Sequence, residues 1–112
     1  MNHILKLTEG DKIWYLGWSD AFDRPATVGM SRGEFVEWYT QEYMKCEDYD
    51  QRTPPLAERL ERADKTGTSA MYSHGTLDAC LSFNRAGKND QRLTKEQLIE
   101  FYCKRREFPN YT

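Results

Sequence analysis

Little in this chain invites chemistry. Histidine occurs only as His3 and His74, and cysteine only as Cys46, Cys80 and Cys103. No CxxC pair is present, which removes a redox couple and a zinc knuckle. Gly67-Thr68-Ser69 lacks the lysine and the strand-to-helix setting of a phosphate-cradling loop. No apolar run is long enough to span a bilayer, and Met1–Leu7 lacks the long apolar stretch of a signal peptide. A cytoplasmic setting without a membrane partner is therefore expected, with the thiols serving as small core residues. Hydrophobic residues are also scarce, at 38% with a mean hydropathy of −0.88. Three Trp, seven Tyr and five Phe nevertheless set the chain apart from disordered sequences and suffice for the core of one small domain.

What is present announces architecture. Met30-Ser31-Arg32-Gly33-Glu34-Phe35-Val36-Glu37-Trp38-Tyr39 and Leu93-Thr94-Lys95-Glu96-Gln97-Leu98-Ile99-Glu100-Phe101-Tyr102 follow one pattern. Each has an apolar residue, a hydroxyl N-cap, a Glu or Gln three positions on, and then an apolar pair. The hydroxyl accepts from the third N–H, the longer side chain reaches back to the cap, and the flanking apolar residues meet across the box. A strand precedes one copy and a helix the other, so convergence explains the echo better than duplication.

Ile4–Leu7 and Lys12–Trp18 are rich in strand formers, with Thr8-Glu9-Gly10-Asp11 between them as turn. The two-residue period puts Trp14, Leu16 and Trp18 on one face and Ile13, Tyr15 and Gly17 on the other. Ser19–Gly29 reads as loop. Phe35, Trp38, Tyr39, Tyr43 and Cys46 recur at helical spacing. Thr53-Pro54-Pro55 opens a second helix bearing Leu56, Leu60 and Ala63, which Gly67 ends. Thr68–Gly75 reads as a loop pinned by Met71 and Tyr72. Thr76 caps a third helix with Leu77, Cys80, Leu81 and Asn84 aligned. The expected fold is α+β: one domain with an N-terminal β-hairpin (about 3–18) packed on a bundle of about four short helices (about 32–46, 54–66, 77–86 and 95–106).

Net charge is −2, giving no overall pull toward nucleic acid. It is unevenly spread, with net −4 over Ser31–Asp50 and net +2 from Gln91 onward. Ser73, His74 and Asp78 do not make a triad, because adjacent Ser and His side chains diverge. His74, Cys80 and Cys103 would ligate zinc only through a coincidence of the fold. Asp20 and Asp23 suit Asx turns better than a calcium loop. No catalytic residue, metal ligand or cofactor site is assigned.

Ring density around the hairpin and the following loop is the main functional signal. Either helices cover one sheet face and the loop the other, or the rings form a contact surface led by Trp18 and Phe22 with Asp20, Asp23 and Arg24 around them. That surface suits a non-enzymatic protein-binding module. The alternative is a small nucleic-acid-binding protein using Lys104, Arg105 and Arg106 beside Phe108 and Tyr111. A third reading is a small metal-dependent hydrolase or nuclease using scattered carboxylates, among which nothing selects a pair. A homodimer is compatible with each.

The order Trp14-Tyr15-Leu16-Gly17-Trp18-Ser19, then Asp23, Pro25, Thr27, Gly29-Met30, Glu34-Phe35 and Tyr39, resembles a family of small proteins encoded by tailed bacteriophages. Leu60-Glu61-Arg62, Gly67-Thr68-Ser69, Phe83-Asn84-Arg85-Ala86-Gly87 and Tyr102-Cys103-Lys104-Arg105-Arg106 extend the resemblance over most of the chain. The acidic insert around Glu47–Asp50 departs from it. The resemblance implies a bacterial host cytoplasm and an accessory role through stoichiometric binding of a host protein or defence factor. It carries no functional residue with it.

Overall fold

The computed structural model describes residues 1–45 and 54–109. Strand β1 (His3–Glu9) pairs antiparallel with β2 (Lys12–Ser19), with Leu5 opposite Leu16 and Leu7 opposite Trp14. Gly10, at φ +58°, supplies the left-handed turn that a tight hairpin demands. A two-residue strand β3 (Arg24–Pro25) then pairs with Trp18 and Ser19, inside the segment expected to be loop. Proline is tolerated there because the strand is an edge, and Ala26 N–H supplies the bond to Gly17 O at 2.7 Å. Further along, Met30 and Tyr15 exchange backbone bonds of 2.7 and 2.8 Å. On the opposite edge Lys6 N–H donates to Gly67 O and Ser69 N–H to Ile4 O.

Helix α1 (Arg32–Trp38) continues as a π-helical segment, Tyr39–Tyr43. Helix α2 is Leu56–Thr66, α3 is Leu77–Phe83, and α4 (Lys95–Leu98) again widens into a π-helical segment, Ile99–Lys104. Both capping boxes form. Ser31 Oγ accepts from Glu34 N–H at 3.2 Å while Glu34 Oε1 accepts from Ser31 N–H at 2.9 Å. Thr94 and Gln97 repeat this at 3.1 and 2.9 Å. Gly67 ends α2 at φ +86°, as its position predicts. The helix ends fall short of expectation. α3 stops at Phe83 because Asn84 leaves helical geometry and turns its amide inward. Cys46 and Thr53, placed at the ends of the first two expected helices, lie outside the described residues.

The sheet is covered by helices on both faces. Leu5, Leu7, Leu16 and Trp18 pack with Cys80, Leu98, Ile99, Tyr102 and Cys103 from α3 and α4. Ile4 and Tyr15 pack with Met30, with Phe35 and Tyr39 from α1 and its π-helical continuation, and with Leu60 and Ala63 from α2. The loop after β2 therefore lies along the sheet edge instead of over a face. Asp23, Arg24 and the chain to Gly29 are held by strand pairing and by Gly29 N–H donating to Tyr102 O at 2.7 Å.

Gly33 sits in the first turn of α1, and a Cβ built there meets nothing within 4 Å. Glycine costs a helix up to about 1 kcal/mol relative to alanine. Gly33→Ala is therefore expected to stabilise the fold by about 0.5–1 kcal/mol, read as a raised denaturant midpoint.

Candidate functional site

The residues expected to lead a contact surface divide into core and surface. Trp18 is 1% exposed, so it is a core residue and is withdrawn as a contact residue. The two-residue period points it with Trp14 and Leu16 into the α3–α4 layer. Asp20 is turned inward: its carboxylate accepts from Tyr72 OH and lies 3.4 Å from His3 Nδ1. Phe22 is 58% exposed, and the Arg24 guanidinium lies 5.0 Å from its ring centroid. Arg24 and Arg85 both pair with Asp90, at 3.6 and 3.1 Å.

This loop is held at several points. Asp20 N–H donates to Asn2 Oδ1 at 2.7 Å and Phe22 N–H to Ser19 Oγ at 3.3 Å. Asp23 takes a left-handed φ of 53°, which aspartate tolerates, and its carbonyl accepts from Arg85 N–H at 2.7 Å. The bond to Arg85 ties the loop to the end of α3, where Phe83 is 74% exposed. Phe83 stands outside the aligned Leu77, Cys80, Leu81 and Asn84, and was not singled out from the sequence as a surface ring.

The basic C-terminal residues are engaged within the chain. Lys104 Nζ meets Glu9 at 2.8 Å and Arg105 Nε meets Glu100 at 3.1 Å. Arg106 forks onto Glu34 through bonds of 2.9 and 3.2 Å. Its hydrogen bonds, with that from Ser31 N–H, hold the Glu34 carboxyl down at about 2. One glutamate thus serves both the first capping box and the last helix.

A polar cluster with a buried imidazole and thiol lies behind the loop. His3 Nδ1 faces Asp20 Oδ1 at 3.4 Å and Tyr72 OH at 3.1 Å, while Nε2 faces Cys80 Sγ at 3.4 Å. Tyr72 gives its hydroxyl proton to Asp20. Nδ1 therefore faces two acceptor oxygens and is the protonated nitrogen, and Nε2 lies against the thiol sulfur, which also stands 3.7 Å from Gly75 O. The order carboxylate, imidazole, thiol is that of a nucleophilic triad. Its electrostatics are not. Burial pushes the Cys80 thiol up to about 12 and drives His3 below its ordinary value, the latter against the pull of Asp20. Both groups are neutral near pH 7 and nearly inaccessible, with Cys80 4% and His3 1% exposed. The cluster acts as a clamp between β1, the loop and α3.

Tyr72 holds this clamp, whereas Met71 is 75% exposed and pins nothing. The Thr68–Gly75 loop is instead anchored by Thr68 Oγ1 donating to Gly75 O at 2.8 Å and by Ser69 Oγ accepting from Ile4 N–H at 2.8 Å. His74 stays on the surface, with its ring 4.2 Å from that of Tyr72.

Because the folded His3 binds a proton more weakly than the unfolded residue, the unfolded state gains protons first as pH falls. Stability is complete above about 6.5 and declines as pH drops below it. Denaturant midpoints are expected to fall between pH 8 and pH 5. A His3→Gln variant should show a smaller fall over that window, whatever its starting stability.

Among the described residues, no helix is long and apolar enough to cross a membrane, and no three His, Cys, Asp or Glu side chains converge to hold a metal ion. No protein-family model, curated protein or solved structure matches this chain.

Proposed function

We propose that this protein is a non-enzymatic binding module that acts by stoichiometric contact with another protein through the Phe22 loop. One observation carries the reading: an exposed phenylalanine, capped by Arg24, on a loop already fixed at Asp20, Phe22 and Asp23. A loop whose backbone is fixed before contact loses less freedom on binding, which lets a small patch support useful affinity. Asp23 and Arg24 form the polar margin, and Phe83 with Arg85 extends the surface along the end of α3. The resemblance to small tailed-phage proteins supports a bacterial host protein or defence factor as the partner, met in the host cytoplasm. Lys104, Arg105 and Arg106 favour nucleic acid less, since each is engaged by a carboxylate.

The test compares immobilised wild type with Phe22→Ala and with Phe22→Ala/Asp23→Ala, each shown to be as stable as the parent. A host protein retained at one-to-one stoichiometry by wild type should lose about tenfold or more in affinity for the variants. Identical retention by all three would remove this surface from consideration.

A further inference from the structure

We propose that the hollow between β1 and α2 is a binding site for a small molecule bearing an oxyanion, a phosphate or a carboxylate, held by Arg59 and Arg62. The hollow measures about 230 Å³ and is bordered by Asn2, His3, Arg59, Arg62 and Tyr72, with Pro54 and Ala70 among its apolar wall. Arg59 is the central observation. Its residue is 4% exposed, yet its guanidinium meets only neutral partners: Tyr39 OH at 3.1 Å and Asn2 O at 2.9 Å. Among the described residues no carboxylate lies within ion-pair distance of it, in contrast to Arg32, Arg85 and Arg106.

A buried cation without a counterion is costly, and an anion placed beside it offsets that cost. A guanidinium carries five N–H donors in a planar fork. Each Nη of Arg59 spends one on its neutral oxygen, and Arg59 is among the residues that border the hollow. Arg62, three residues on and so on the same helix face, is fixed by Nε donating to Ser69 O at 2.9 Å and Nη1 to Glu58 at 3.0 Å. Among the described residues these two bonds use Nε and Nη1, and in this proposal Nη2 meets the ligand.

Among the described residues the carboxylates nearby are already occupied: Glu58 holds Arg62 at the rim, and Asp20 pairs with His3 and Tyr72. Among the described residues, no carboxylate lines the hollow itself. Two forks from one helix suit a planar or tetrahedral oxyanion, which guanidinium recognises through paired bonds. The volume admits a small body beyond the anionic head and excludes a large one.

The experiment follows the Arg59 Nε–Hε resonance by NMR while the intact protein is titrated with inorganic phosphate or acetate, with chloride holding ionic strength constant. A saturable shift is expected in at least one arm and none with chloride. The arm that saturates at lower concentration identifies the head group. Arg62→Gln should weaken binding about tenfold, whereas Phe22→Ala should leave it unchanged and so separates this site from the protein-contact surface. Absence of a saturable shift at concentrations on the order of 10 mM overturns the proposal. So does an Arg62→Gln titration that superimposes on wild type.

Discussion

Replacing Trp18 by alanine is expected to destabilise the protein by about 3–5 kcal/mol, a large share of the total stability of a domain this size. The ring is 1% exposed and fills the space between β2 and the α3–α4 layer, beside Leu5, Leu7, Leu16 and Tyr102. Removing it loses the transfer energy of the indole and leaves a cavity that a sheet pinned on both edges cannot close. Phe22→Ala, four residues along, should change stability by no more than about 0.5 kcal/mol. Urea titrations with an unchanged slope would establish both values. A near-neutral Trp18→Ala would mean that this face of the sheet is not the core described above.

Asn84→Ala is expected to cost about 2–4 kcal/mol, although only a small polar group is removed. The Asn84 residue is 2% exposed and its amide is fully used. Nδ2 donates to Leu81 O and Leu93 O, each at 2.8 Å, and Oδ1 accepts from Leu93 N–H at 2.8 Å and Ala86 N–H at 3.3 Å. Truncation strands backbone groups where water does not replace the amide. Asn84→Asp separates lost volume from lost donors. Its carboxylate would retain the two acceptor contacts while facing two carbonyls, so its pKa should rise in the folded state. Stability of that variant should then improve as pH is lowered through the carboxylate range, opposite in sign to the His3 effect. A pH-independent deficit would show that the amide donors are not what the site requires.

Local signals in this sequence translated into structure with few losses. The Ser31–Glu34 and Thr94–Gln97 boxes, the Thr76 cap, the Gly67 terminus and the Phe35–Tyr39 stripe each depend on residues within one or two turns, so spacing alone carries them. What escaped depends on distance along the chain. His3 finds Tyr72 and Cys80 69 and 77 positions away, and nothing in their local patterns links them. Arg59 looked like an ordinary charged residue on an amphipathic helix, and only the packing of Tyr39 and Asn2 around it reveals its burial.

The π-helical ends carried no local signal either, although the pattern shared by the two capping boxes continues into both. Phe83-Asn84-Arg85-Ala86-Gly87 has a structural account. Asn84 clamps the α3–α4 connection, Arg85 N–H holds the Phe22 loop, and the Ala86 carbonyl accepts from Tyr102 OH at 2.7 Å.

The backbone contacts flanking the sheet restrict how any other chain can approach it. With Ile4–Lys6 bonded to the Gly67–Ser69 segment, and Tyr15–Ser19 bonded to Met30 and the Arg24–Ala26 segment, neither long edge offers an open ladder of donors and acceptors. Among the described residues the hairpin tip remains, and it carries Glu9 and Lys12, charges that discourage intermolecular strand addition. Recruitment by β-augmentation is therefore disfavoured, as is the edge-to-edge stacking that seeds fibrils. A partner would have to read side chains.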